Sequence, residues 1–312
     1  MAHKKLNTGK ASRARVFVVI LVGGKGKRLR PLSTSARPKA FISVTMDRKT
    51  MFRRTVDRAR KIAPECDIVI VANRAHAGLV RRDFPGIRKE NLILEPVSRN
   101  TGPALALTAA ILEARAPGSL MVMLPTDQFI IDEAEYFSSI SSGLAYMKSY
   151  PGHHLVLGLS PASASTGFGY LKTAAPIRAF DGRGRRIRSI YSVERFVEKP
   201  DQARARRYIR DGRYLWNTGA FIFNTAGLLK AVSITAPDIS ALLGDTTKAL
   251  KNYSKFPDIS IDYAVMEKTG GIAAVKGRYR WRDMGSFESI MEILTMELRP
   301  FITKDGKVMK IL

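Results

Sequence analysis

Residues Val16 to Val44 read VFVVILVGGKGKRLRPLSTSARPKAFISV. The opening run, Val16 to Val22, is unbroken apolar and rich in β-branched residues. It predicts a strand buried on both faces, as in a parallel sheet covered by helices. The run stops at Gly23-Gly24-Lys25-Gly26-Lys27-Arg28. Glycines there allow positive φ and let the backbone approach a ligand closely. Successive N–H groups can then form an anion-binding concavity, to which Lys and Arg add charge. A polyphosphate is the expected guest. Two common phosphate loops do not fit. A Walker A loop needs Ser or Thr after its Gly-Lys pair, and Arg28 stands there. A dinucleotide loop needs a third glycine where this chain has Leu29.

Outward from this stretch, apolar runs and helical periodicities alternate. A helix is expected over 51–63, with Phe52, Val56, Ala59 and Ala63 on one face, and a second buried strand over 67–72. A short helix is expected over 75–83 and a strand over 91–95. Asn100 or Thr101 then caps a helix with Pro103 in its first turn, followed by a strand over 120–124. Such alternation implies a parallel sheet with right-handed crossovers, whose ligands sit beyond the carboxyl ends of the strands. Residues 23–28, 95–101 and 125–128 all fall at such ends. The second half is more mixed. Strands are expected over 155–159, from the turn at 166–170, over 191–198 and over 219–223. Helices are expected over 201–209, 225–232 and 237–253, then a strand over 271–275, a turn over 278–285 and a helix from Ser286.

Composition sets the remaining bounds. A chain of 312 residues, 45% apolar, can bury a substantial core. The single cysteine, Cys66, excludes an intramolecular disulfide and fits a reducing compartment. No apolar run approaches membrane-spanning length and no signal peptide is evident, so the expected location is cytoplasmic. The formal charge of +25 favours anionic partners such as nucleotides and phosphorylated sugars. The basic residues are scattered, without a tract of interleaved aromatics, which argues against nucleic acid. Residues 1–15 carry five Lys and Arg and no acid, and read as a disordered basic arm.

The pattern GGxGxRLxPL followed by Pro38-Lys39 resembles the signature of the sugar-nucleotidyltransferases. Further stretches agree in family order: Leu124-Pro125-Thr126-Asp127, Thr166-Gly167-Phe168-Gly169-Tyr170, Phe196-Val197-Glu198-Lys199-Pro200, Trp216-Asn217-Thr218-Gly219 and Trp281-Arg282-Asp283-Met284-Gly285. Leu94-Glu95-Pro96, the run Arg99 to Ala104, and Ser260 to Glu267 are similar to stretches of the mannose-1-phosphate guanylyltransferases. The resemblance covers residues 16 to about 294. It implies an α/β fold of Rossmann-like, GT-A-like type: a mixed, mostly parallel sheet flanked by helices in one main domain over 16–295, with a short tail over 296–312.

The implied activity joins GTP to mannose 1-phosphate, giving GDP-mannose and pyrophosphate. Arg28, Lys39, Asp127 and Asp283 are the implied catalytic residues, the two aspartates holding Mg2+ or Mn2+. Two carboxylates suit magnesium, which completes its shell with water and phosphate oxygens. Gly23, Gly24, Gly26, Lys27, Glu95, Arg99, Asn100 and Thr101 are implied for the nucleotide; Gly169, Glu198, Lys199 and Asn217 for the sugar phosphate. An acceptor such as Glu95 suits the N1–H and N2–H donors of guanine. The segment 260–267 has an alternative reading as a packing helix under the sugar site. Lys27, Ala40 and Gln128 depart from the family's usual Thr or Ser, Gln and His, and the last two remove polar groups expected near the nucleotide. No isomerase domain is expected in this length, and the short tail leaves quaternary structure open, a homodimer being one expectation. The competing functions are a thymidylyltransferase acting on glucose 1-phosphate and a non-catalytic nucleotide-sugar-binding paralogue.

Overall fold

The structure, a computed structural model, describes residues 14–24, 26–43 and 45–298. Most of the expected arm (1–13) and of the tail (299–312) lies outside them, as does Lys25. Arg15, at the arm's inner end, is tied down: its guanidinium donates twice to Asp67, at 2.9 and 2.5 Å, and its carbonyl accepts from Leu120.

The first half winds as its sequence predicts. β1 (Val16–Val22), α1 (Met51–Arg60), β2 (Ile68–Asn73), α2 (Ala77–Asp83), β3 (Leu92–Glu95), α3 (Thr101–Arg115) and β4 (Leu120–Pro125) follow one another. β1 pairs in parallel with β2 and β4, and β2 with β3. Alternate side chains of β1 enter two cores. Val18, Ile20 and Val22 meet α1 and α2 on one face; Phe17 and Val19 meet α3 on the other. An unbroken apolar run is what this double burial demands.

After β5 (Gln128–Ile130) comes α4 (Glu133–Ser149), then β6 (His154–Leu159), β7 (Gly169–Pro176), the hairpin β8 (Ala179–Phe180) and β9 (Arg186–Ile187), and β10 (Ile190–Val197). The chain continues with α5 (Gln202–Asp211), β11 (Tyr214–Asn224), α6 (Thr225–Thr235), α7 (Pro237–Ser240), α8 (Thr246–Lys251), β12 (Ile272–Lys276), β13 (Trp281–Asp283) and α9 (Phe287–Leu298). A nine-stranded sheet results, in the order β3-β2-β1-β4-β11-β6-β12-β10-β7. Its parallel character belongs to the first half and the β6–β12 pair; β11 and β10 run antiparallel to their neighbours.

Four details differ from expectation. α4 is unannounced because serines and Gly143 dilute its apolar face. Gly143 is needed: a Cβ there would come within 2.8 Å of Ile222 and 3.0 Å of Leu155, so the helix lies close on the sheet. β11 begins five residues before Gly219, since Asn217-Thr218-Gly219 is an irregularity inside a strand rather than its start. The expected 237–253 helix breaks into α7 and α8, with Asp245 capping α8 through bonds from Thr247 and Lys248. The expected turn at 278–285 contains β13, which pairs with β5.

Candidate active site

The carboxyl ends of β1, β3 and β4 open into one cavity of about 290 Å³, lined among others by Gly23, Gly24, Glu95, Asn100, Thr101 and Asp127. Gly24 has φ 98°, a conformation that side chains resist. Gly26 follows at φ 56°, where a Cβ would meet Ser33 Oγ at 2.9 Å; that hydroxyl donates to the Gly26 carbonyl at 2.5 Å. The loop then tightens into a short turn over Lys27–Leu29. The side chain of Lys27 lies outside what the structure describes, while Arg28 is exposed and lines neither cavity, though it is near enough to Asp283 to act on its charge.

A second cavity of about 240 Å³ lies beyond β4, lined by Gly169, Glu198, Asn217, Asp262, Trp281 and Asp283 together with Pro125 and Asp127. Pro125 and Asp127 therefore line both cavities. Phe168 packs on Trp281 with ring centroids 4.9 Å apart, giving the second cavity an aromatic wall.

Lys39 sits at the junction. Its buried ammonium donates to Asp127 Oδ2 at 2.8 Å and lies 3.6 Å from Asp283 Oδ1. The aspartates are 156 residues apart in sequence, yet the β5–β13 ribbon sets Asp283 opposite Gln128, and the Met284 N–H donates to the Asp127 carbonyl at 2.8 Å. Burial, and then the neighbouring charge of Asp127, push the Asp283 carboxyl up, opposed by Lys39 and Arg28. Gly285 completes the arrangement, since a Cβ there would stand 2.4 Å from Asp283 Oδ2. Among the described residues no cluster of three or more metal-ligating side chains occurs. Two carboxylates beside a cavity able to take phosphates nevertheless fit a hard divalent cation, which takes one or two such ligands.

On the first cavity's side, Glu95 is buried at the end of β3 and accepts from the Tyr253 hydroxyl at 2.5 Å. Burial raises its pKa, and the Tyr253 bond opposes that rise. Asn100 caps α3 at φ 65°, its side chain accepting from the Thr101 N–H. Thr101 Oγ1 accepts from the Ile261 N–H at 2.9 Å, and the Gly102 N–H donates to the Ile259 carbonyl at 3.0 Å. Arg99 is not brought to this cavity: its guanidinium turns to the Ser254 carbonyl, behind the wall that carries Glu95 and Tyr253.

On the second cavity's side, Gly169 leaves room for Glu198, whose Oε2 would lie 2.4 Å from a Cβ at that position. That oxygen is buried with no hydrogen-bond partner, while the other accepts from Lys199. Lys199 holds φ 46°, a conformation that costs energy for a side chain and that clusters at functional sites. Asn217 is locked at both ends: Oδ1 accepts from the Gly219 N–H at 2.8 Å and Nδ2 donates to Asp262 Oδ1 at 2.9 Å. Gln128 also belongs here, donating to the Thr218 carbonyl, and not to the nucleotide side where the sequence reading put it. Its position one residue past Asp127 turns it across the strand end.

The sequence pattern of the nucleotidyl transferase family matches residues 17–299. The chain belongs to the nucleotidyl transferase family. Within it, the alginate biosynthesis protein AlgA of Pseudomonas aeruginosa is 33% identical over 299 residues, 92% of this chain and 60% of that protein. The mannose-1-phosphate guanylyltransferase of Escherichia coli is 33% identical over 298 residues, 90% of this chain and 60% of that one. The chain thus spans about 60% of the length of these curated relatives. A crystal structure described as mannose-1-phosphate geranyltransferase from Thermus thermophilus superposes with a TM-score of 0.78 at 30% identity, over 89% of this chain and 79% of the other. The nucleotidyl transferase fold is the GT-A-like α/β arrangement expected from the sequence.

Several residues around the cavities of this nucleotidyl transferase were not singled out from sequence. Tyr253 carries no local signal, and Gly285 stood inside a quoted motif without a role. Trp281 and Phe168 stood inside quoted motifs, unassigned. Asp262 stood in the stretch 260–267, whose alternative reading was packing; its carboxylate reaches the second cavity from the first residue of a π-helical turn, Asp262–Met266.

Proposed function

We propose that this chain transfers a guanylyl group from GTP to mannose 1-phosphate, giving GDP-mannose and pyrophosphate. The observation that carries the reading is the pair of cavities sharing Asp127 as a wall, with Lys39 and Asp283 at the junction. A nucleotidyl transfer needs two anionic substrates whose phosphates meet at one point, and this geometry supplies that point. The name of the Escherichia coli relative, 33% identical to this chain, supports the choice of base and sugar.

In this mechanism a phosphate oxygen of mannose 1-phosphate attacks the α-phosphorus of GTP in line. The new O–P bond forms as the bond to the bridging β-oxygen breaks, and pyrophosphate leaves with that electron pair. No covalent enzyme intermediate is required, so positioning and charge neutralisation supply the rate. Arg28 and Lys39 offset charge on the α-phosphate and on departing pyrophosphate. Gly23, Gly24, Gly26 and Lys27 receive the triphosphate. Glu95 accepts from the guanine edge, backed by Tyr253, with Asn100 and Thr101 forming the adjoining wall and Arg99 bracing it from behind. Lys199 aligns the attacking phosphate, while Glu198, Asn217 and Gly169 hold the hexose. Asp127 and Asp283 would hold Mg2+ or Mn2+, which when bound supplies neutralisation of the phosphate charge.

The test is pyrophosphate release with magnesium, four nucleotides crossed with mannose 1-phosphate and glucose 1-phosphate. Release confined mainly to GTP with mannose 1-phosphate is the expected result. Preference for another pair overturns the specificity and leaves the transfer chemistry; silence from folded protein overturns the activity.

A further inference from the structure

Asp262 stands where the reading above leaves a gap. It lines the second cavity with Glu198 and Asn217, and one of its oxygens accepts from Asn217 Nδ2. Among the described residues it forms no ion pair, although Lys199, bonded to Glu198, lies close enough for their charges to interact. The groups that face it are Glu198, Lys199, Asn217 and the neighbouring Tyr263. Burial and then the charge of Glu198 push the Asp262 carboxyl up to about 6, so its ionised form is held there at a cost.

Orienting Asn217 does not require that cost. An asparagine at 262 would accept the same bond with no charge to bury. A second carboxylate beside Glu198 is useful where two acceptors must meet adjacent hydroxyl donors, because a carboxylate accepts at both oxygens and donates at neither. The Glu198 oxygen Oε2 is buried and unpartnered, and beyond its own backbone N–H the Asp262 carboxylate takes only Asn217 among the described residues. The brace around the pair is rigid: the Glu198 N–H donates to Glu267 Oε1 at 2.7 Å, so the turn that carries Asp262 also fixes the strand end that carries Glu198.

We propose that Asp262 is a direct hexose ligand, its free carboxylate oxygen accepting from one sugar hydroxyl while Glu198 accepts from the next. The inference rests on the hexose 1-phosphate reading of this cavity. Asp262 then acts on sugar binding and sugar choice, apart from the phosphate chemistry at Lys39.

The test compares wild type with Asp262→Asn, with magnesium and GTP, on mannose 1-phosphate and its 2-, 3-, 4- and 6-deoxy analogues. Asparagine keeps the acceptor for Asn217 and turns the free oxygen into a donor. The KM for mannose 1-phosphate should rise roughly ten- to hundred-fold, the scale of one hydrogen bond to a charged group, with the GTP KM within about two-fold. One deoxy analogue should lose as much against wild type, and lose little more in the variant; this arm with wild type alone does not depend on how the variant folds. An unchanged sugar KM, or equal losses on every deoxy analogue and on GTP, overturns the inference and leaves the guanylyl-transfer reading intact. A wild type that uses no hexose 1-phosphate overturns both.

Discussion

Asp127 and Asp283 hold their separation through main-chain contacts and share one ammonium, so neutralising either changes charge without rebuilding the cavity. Asp127→Asn and Asp283→Asn should each cut kcat by at least about 100-fold, the scale of one lost electrostatic contact at a reacting phosphate. Circular dichroism and the melting temperature should stay near wild type; normal turnover in either variant would remove the assignment. Asp262 gives a second outcome at this scale. Its folded pKa of about 6 exceeds its ordinary 3.8, so the folded state binds that proton more tightly. Its charge therefore costs stability above pH 6, and the cost fades as pH falls toward 4. Asp262→Asn should be more stable than wild type at pH 8 by about 1–3 kcal/mol, with the gap closing between pH 6 and 4. Melting curves across pH 4–8 check the sign. Lys39, Asp127 and Asp283 were legible in sequence because each stands in a short motif with its own turn chemistry. Asp262 was not, because its partner Asn217 lies 45 residues away and no local pattern records the pairing.

The elements of the first half were legible because strands buried on both faces leave apolar runs, and because Asn100 caps α3 in the way its side chain permits. α4 and the long β11 were not. The face of α4 is built from Tyr136, Ser139, Ile140, Gly143, Tyr146 and Met147, its apolar side chains interrupted by Ser139 and Gly143, and β11 interrupts its own pairing at Asn217-Thr218-Gly219. Contacts across the fold, absent from any local window, decide both. The start of α3 illustrates such a contact. A Cβ at Gly102 would come within 2.6 Å of the Ile259 carbonyl oxygen, a backbone atom with little freedom to yield. Gly102→Ala should therefore separate α3 from the 259–261 segment, weaken the Thr101–Ile261 bond, and destabilise by roughly 1–3 kcal/mol. The GTP KM should rise more than the sugar KM, because Asn100 and Thr101 line only the first cavity. A thermal melt with both KM values decides it; an unchanged melt would show that the contact is slack.

For the whole molecule, the excess of 52 Lys and Arg over 27 Asp and Glu sets a positive field around a site for which two polyanionic substrates are proposed. Such a field raises the encounter rate and is screened over about 10 Å at 0.1 M salt. The ratio kcat/KM for each phosphorylated substrate should fall several-fold between roughly 20 and 200 mM KCl, with kcat much less affected. A flat salt profile would assign the charge a role unconnected with substrate capture. Among the described residues no helix is long and apolar enough to cross a membrane.

The β5–β13 ribbon separates two things that many active sites entangle. The distance between Asp127 and Asp283 is written in peptide hydrogen bonds, so it does not depend on which side chains line either cavity. Substitutions at Ser98, Gln128 or Phe168 can redraw what the walls recognise while the reacting centre keeps its dimensions. Descent from one such scaffold can yield enzymes for different bases and different sugars with the transfer step inherited unchanged.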